Sequence, residues 1–236
     1  VIFGFLGSTF FVARIRKQES LLEIHRARCQ ARFMLRRVVQ CLFLAMVAAV
    51  SANEEKPLAL RDGDIVFSGS DAGQGGAIIA ATRSPYTHCG IVFISEGKWM
   101  VLEAVQPVGV VSLEVFKSRA KPGTFKVSRL KTPLSPASYQ LAKAWAEAQV
   151  GKNYDSKFLW NDSNMYCSEL VWKVYERAGV RLCEPRRFRD YHLDDSKVKE
   201  VIIERYGASE NLPKDENVVA PSDIAGSILL ADVFVN

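Results

Sequence analysis

Apolar residues come in short blocks through the middle of this chain and at helical spacing toward its C-terminus. After a polar linker, Asn53 to Leu60, the turn Arg61-Asp62-Gly63-Asp64 launches Ile65-Val66-Phe67-Ser68, a four-residue strand. Gly69 to Gly76 is glycine-rich but lacks the Gly-Lys-Ser/Thr ending of a phosphate-binding loop, so it reads as a flexible turn. Ala77 to Thr82 reads as a short helix stopped at Ser84-Pro85. Cys89 to Ile94 and Trp99 to Val105 are apolar runs joined by Ser95-Glu96-Gly97-Lys98, a β-hairpin signal. Further strands are expected at Gly109 to Leu113 and Phe125 to Leu130.

Beyond residue 134 the period lengthens. Ser135-Pro136 opens a helix running to about Gln149, with Gly151 just past its end. Asn164 or Ser163 caps a second, amphipathic helix that carries Cys167 in its first turn and stops at Gly179. Its apolar stripe is Leu170, Val171, Val174, Tyr175 and Ala178. A third helix spans Asp195 to Tyr206, and Ile228 to Val235 is a last strand placed to close the sheet. Strands first and helices afterwards predict an α+β architecture.

The N-terminal region changes the reading of charge. The formal net charge of +5 suggests a polyanion partner, yet eight of the 31 basic residues lie before Val38. From Asn53 onward 23 basic face 24 acidic side chains, so nucleic acid is not an expected partner. Met34-Leu35-Arg36-Arg37, the apolar run Val38 to Val50 and the small residues Ser51-Ala52 form a charged, an apolar and a cleavage region. Residues 34–52 are therefore expected to be a secretory signal, too short to span a bilayer comfortably. The membrane enters only through this leader. Residues 1–33, which begin with Val1, read as an extension upstream of a true start at Met34. One domain, 53–236, would remain after cleavage, periplasmic or secreted.

That domain keeps Cys89, Cys167 and Cys183, an odd number, so at least one thiol stays unpaired within the chain. Cys89 and Cys183 read as buried, apolar-like cysteines, although a bridge between them is conceivable. Cys167 is different. In the first turn of a helix, free backbone amides and the helix dipole favour its thiolate. Its own N–H is available to hold a developing oxyanion. His88 opens the strand Cys89–Ile94, and alternation sends His88 and Cys89 to opposite faces. Folding the hairpin about Glu96–Gly97 brings Glu103 near His88. A carboxylate in the apolar run Met100 to Val105 is costly unless it has such a partner. Cys167, His88 and Glu103 are thus the candidate nucleophile, base and orienting residue. His192 with Asp190 and Asp194 reads as a solvated cap, and neither a metal nor a cofactor is expected.

Leu60-Arg61-Asp62-Gly63-Asp64-Ile65-Val66-Phe67, Tyr86-Thr87-His88-Cys89-Gly90-Ile91-Val92, Glu103-Ala104 and Tyr166-Cys167-Ser168-Glu169-Leu170-Val171 resemble the motifs of papain-like, NlpC-type cell-wall amidases. Histidine precedes cysteine here, which is similar to the circularly permuted YiiX/YaeF-like branch. Gly151-Lys152-Asn153-Tyr154-Asp155 and Pro221-Ser222-Asp223-Ile224 add to the match. The resemblance implies a permuted papain-like fold and the roles above for Cys167, His88 and Glu103. It also implies Tyr154 as a polar neighbour of the oxyanion, with Tyr166 and Ser168 as candidate substrate or oxyanion contacts. Thr87 and Cys89 stand where that family is expected to carry Ser and an aliphatic residue. The implied substrate is a peptide or isopeptide amide, of the kind peptidoglycan offers. The rivals are hydrolysis or transfer of lipid acyl esters and a catalytically silent binding module.

Overall fold

A computed structural model describes residues 59–235, so the signal segment expected at 34–52 and the upstream extension expected at 1–33 lie outside the described residues. The described residues form eight strands: β1 (Ile65–Ser68), β2 (His88–Ser95), β3 (Lys98–Ala104), β4 (Val108–Ser112), β5 (Lys126–Leu130), β6 (Arg186–Arg187), β7 (Asn217–Val218) and β8 (Leu230–Val235). Six of them form one antiparallel sheet in the order β4-β3-β2-β1-β5-β8, while β6 and β7 pair separately. The C-terminal strand β8 extends the sheet alongside β5, at one edge. Helices are α1 (Gly75–Thr82), α2 (Leu113–Ser118), α3 (Pro136–Glu147), α4 (Cys167–Arg177), α5 (Ser196–Tyr206) and α6 (Pro221–Ala225). This is the expected α+β class.

Alternation divides the sheet's side chains between two cores. Ile65, Phe67, Cys89, Ile91, Leu102 and Ala104 pack with Leu170, Val171, Val174 and Tyr175 of α4. Val66, Val92, Val101 and Val127 face the other way, onto Leu113, Phe116 and Phe125. Leu170 and Val171 are fully buried, each contributing about 1.5–3 kcal/mol of transfer free energy. A third cluster, built by Ala77 of α1, Val198 and Ile202 of α5, Phe188, Leu212 and Val218, forms a lobe beside the start of α4.

Asp64, fully buried at the start of β1, is held by a bidentate pair with Arg129 of β5, both N···O distances 2.7 Å. The same carboxylate accepts from the Arg61 backbone N–H, closing the turn that precedes the strand.

Sequence and structure differ at three points. Gly109 to Leu113 is strand as expected but only as far as Ser112, which turns the chain and accepts from the Val115 N–H, capping α2. The cysteine helix starts at Cys167 with Tyr166 as its cap, not at Ser163 or Asn164. Met165 is held extended by a parallel bridge to Tyr154, which postpones the helix by two residues. Finally, α4 keeps its expected apolar stripe but is buried almost all round, because α3, α6 and the 160–162 loop cover faces that the sheet does not. Its polar residues Ser168, Glu169 and Lys173 are buried too, with Lys173 donating to Glu169 at 2.7 Å.

Candidate active site

The hairpin fixes the first half of the site. In the β2–β3 register Ile91 lies opposite Leu102, so Glu103 is diagonal to His88 on one face. The His88 Nε2 lies 2.6 Å from Glu103 Oε2. Between them Gly90 makes the approach possible, since a Cβ there would sit 2.5 Å from Val101 Cγ1 and 2.8 Å from the Leu102 carbonyl oxygen. Glu103 is fully buried, and its second oxygen accepts from Arg119 Nη2 at 2.6 Å. Burial alone would raise the Glu103 carboxyl, but the hydrogen bonds and charges of His88 and Arg119 outweigh it and hold it below the usual range. The His88 ring also stacks on Phe116 at 5.5 Å between centroids.

The second half is the N-terminus of α4. Cys167 occupies the first helical position, where the backbone amides of the opening turn lack helical acceptors. The Glu169 carboxylate reaches back to the Tyr166 N–H at 3.4 Å, steadying that turn. With Nε2 on Glu103, the other imidazole nitrogen of His88 is left to hydrogen-bond the Cys167 sulfur. Burial works against the imidazolium, yet the bonds to Cys167 and Glu103 prevail and raise His88 to about 9. Cys167 is held well below an ordinary thiol, first by the hydrogen bond from the Cys89 thiol, then by His88, with burial opposing. Both shifts favour the thiolate–imidazolium form of the pair.

Cys89 is the buried, unpaired cysteine expected from sequence, and its thiol also neighbours the Cys167 sulfur. As alternation predicts, its side chain lies on the α4 face, opposite His88. Both still reach the sulfur because Cys167 sits at the end of β2. The Cys89 thiol is pushed well above its usual value, first by burial and then by the adjacent thiolate, so it remains a donor. Cys183 is raised to about 12, chiefly by burial. All three cysteines are free.

Tyr154 is placed by its bridge to Met165, two residues before the nucleophile candidate. Its hydroxyl accepts from Gln74 Nε2 at 2.8 Å and keeps its own proton to donate, burial raising its pKa far above the ordinary phenol. Tyr166 and Ser168 line the same groove, but their hydroxyls are engaged with residue 219. The Tyr166 oxygen accepts from the Val219 N–H at 3.2 Å, and Ser168 Oγ donates to its carbonyl at 2.6 Å. These two side chains build wall, leaving the backbone N–H groups of the turn for an oxyanion.

Cys167 opens onto a groove of about 820 Å³, counting its mouth. Ile78, Phe188, Val198, Ile202 and Leu212 are among its lining, and Arg205 is its one charged side chain. Phe116, Arg119, Cys89, Gln74 and Arg205 were not recognised from sequence. Ser112 followed by Glu114 is a helix-start signal that could have found the helix bringing Phe116 and Arg119, but the segment reads as strand.

A family model described as "Permuted papain-like amidase enzyme, YaeF/YiiX, C92 family" matches residues 59–233. The chain belongs to this family. Its broad class is accordingly that of a cysteine amidase. The YiiX protein of Escherichia coli strain K12 is 36% identical over 184 residues, covering 78% of this chain and 89% of that protein. The crystal structure of the metalloprotein YiiX from Escherichia coli O157:H7 aligns with a TM-score of 0.70 at 36% identity, over 75% of this chain and 97% of that one. "Metalloprotein" describes that relative. Among the described residues of this family member, no three His, Cys, Asp or Glu side chains are grouped to hold a metal ion. The residues present do not fit such a site, and no step below passes through one.

Proposed function

We propose that this protein is an exported thiol hydrolase that cleaves an amide through an acyl-enzyme on Cys167. The supporting observation is His88, held at 2.6 Å by the buried carboxylate of Glu103 and close enough to Cys167 for each to shift the other's pKa toward the charged form. The Cys167 thiolate attacks the carbonyl carbon, and the oxyanion is held by first-turn N–H groups and the Tyr154 hydroxyl. Imidazolium His88 gives its proton to the leaving amine as the C–N bond breaks. Neutral His88 then takes a proton from water, hydroxide character attacks the thioester, and the carboxylic acid leaves with the thiolate restored. Glu103 holds the ring in one orientation throughout and favours its charged form.

Peptide amides of peptidoglycan type are the first substrate class, in keeping with an amidase family and with the export signal expected at residues 34–52. The apolar lining of the groove supports a second reading, in which the acyl group is a hydrocarbon chain held as an ester or thioester. Incubating the mature protein with muropeptides and, separately, with acyl esters separates the two. Amine release lost in Cys167→Ala supports the amidase; fatty acid release lost in the same variant supports the esterase. If either release persists in Cys167→Ala, the proposed nucleophile is wrong.

A further inference from the structure

Arg205, near the C-terminal end of α5, projects into the same groove. Its surroundings are unusual for a cation. The Cζ stands 4.8 Å from the centre of the Phe158 ring, which fixes the plane of the guanidinium. Its Nη2 donates to Gln74 Oε1, and Gln74 in turn donates to the Tyr154 hydroxyl. A guanidinium carries five N–H donors, and beyond the bond to Gln74 no other protein acceptor serves them among the described residues.

No carboxylate pairs with it either. Asp155 is a buried acid that acts on it electrostatically, but its two oxygens accept from the Lys157 and Leu159 backbone N–H groups. Glu204, its neighbour in sequence, is exposed. Arg205 is thus a half-buried, oriented and unpaired cation in an apolar groove, linked by one hydrogen-bonded residue to the tyrosine beside Cys167. Burial disfavours its charge, and the weaker attraction of neighbours such as Glu204 and Asp155 offsets that cost only in part.

We propose that Arg205 is a substrate-anion site: its free fork binds a carboxylate carried by the apolar acyl group whose carbonyl Cys167 attacks. A fixed, planar fork matches the two oxygens of a carboxylate better than it matches a neutral group. The preferred substrate then has two handles, a reactive carbonyl at Cys167 and an anion further along the groove. This inference rests on the acyl-enzyme reading of Cys167 and narrows its substrate class.

A molecular ruler tests it. Mono-4-nitrophenyl esters of straight-chain dicarboxylic acids of increasing length are compared, pair by pair, with esters of monocarboxylic acids of equal length. At one length kcat/KM for the anionic ester should exceed that for its neutral partner by about tenfold or more. The ratio should fall toward one in Arg205→Gln and recover in part in Arg205→Lys. A ratio near one at every length in the wild type, or a ratio unmoved by Arg205→Gln, overturns the inference while leaving the Cys167 reading intact. Should neither ester series acylate Cys167, that reading fails instead, and binding decides the anion site. Calorimetric titration of Cys167→Ala with octanedioate should then give affinity that the added Arg205→Gln change reduces about tenfold. Equal affinity in the two proteins, or none in either, refutes the site.

Discussion

Replacing Glu103 by Gln removes one charge and leaves the shape almost unchanged, so it isolates what the buried carboxylate does for His88. The carboxylate is fully buried and 2.6 Å from Nε2, a short, charge-assisted hydrogen bond. Such bonds are worth about 1.5–3 kcal/mol, and one pKa unit corresponds to about 1.36 kcal/mol. Losing the charge should therefore lower the His88 pKa by roughly one to two units. From its present value of about 9 it falls to roughly 7–8. Protonated His88 is the form that stabilises the thiolate and supplies the leaving-group proton. The ion pair exists between the Cys167 pKa and the His88 pKa and is lost as pH rises through the latter. The alkaline edge of activity should consequently move downward, and at neutral pH the thiolate is partly replaced by the neutral pair. Arg119 is 43% exposed and can turn its freed N–H groups to water, so the variant should still fold. Imidazole proton resonances followed against pH, with His88→Ala to assign the signal, give the midpoint. Ultraviolet thiolate absorbance, with Cys167→Ala as blank, gives the ion-pair population. A folded Glu103→Gln protein whose His88 still titrates at about 9 would refute the electrostatic role assigned to Glu103.

Two other substitutions probe the frame around the pair. Cys89→Ala deletes the thiol that donates to Cys167 while keeping the backbone N–H. The acid edge of Cys167 alkylation should rise by about one pH unit, measured as iodoacetamide rate against pH; an unmoved edge contradicts the donor role. Gly90→Ala places a methyl group 2.5 Å from Val101 Cγ1, and the overpacked hairpin should lose about 1–3 kcal/mol of stability in urea denaturation. An unchanged denaturation midpoint would mean that the β2–β3 spacing yields at no cost.

The sequence pattern carried the hairpin well because its turn and both apolar runs are local. Reflection about Glu96–Gly97 is enough to bring Glu103 near His88, and the observed register does so diagonally. The nucleophile candidate was legible for a similar reason: a polar loop, a cysteine and an apolar stripe mark the opening of one helix. What sequence could not supply is the packing between distant segments. Arg119 meets Glu103 because Ser112 turns β4 into a short helix, whose six residues are too few for a visible period. The helix start at Cys167 is decided by Met165 pairing with Tyr154, a contact between loops. Alternation placed Cys89 on the face opposite His88, yet gave no hint that the end of α4 stands where both reach one sulfur. The groove is equally non-local, since α1, α5 and the 188–220 region each contribute a few apolar residues that look like ordinary core.

The central claim is that Cys167 becomes acylated and then deacylated during turnover. Rapid-quench mass spectrometry with an activated acyl ester measures this directly on the intact protein, followed by peptide mapping. A single acyl adduct on the peptide containing Cys167, appearing before free acid accumulates and decaying as it forms, is the predicted result. Its absence in Cys167→Ala should coincide with loss of turnover. An adduct on Cys89 or Cys183, or turnover with no adduct that survives in Cys167→Ala, would contradict the account.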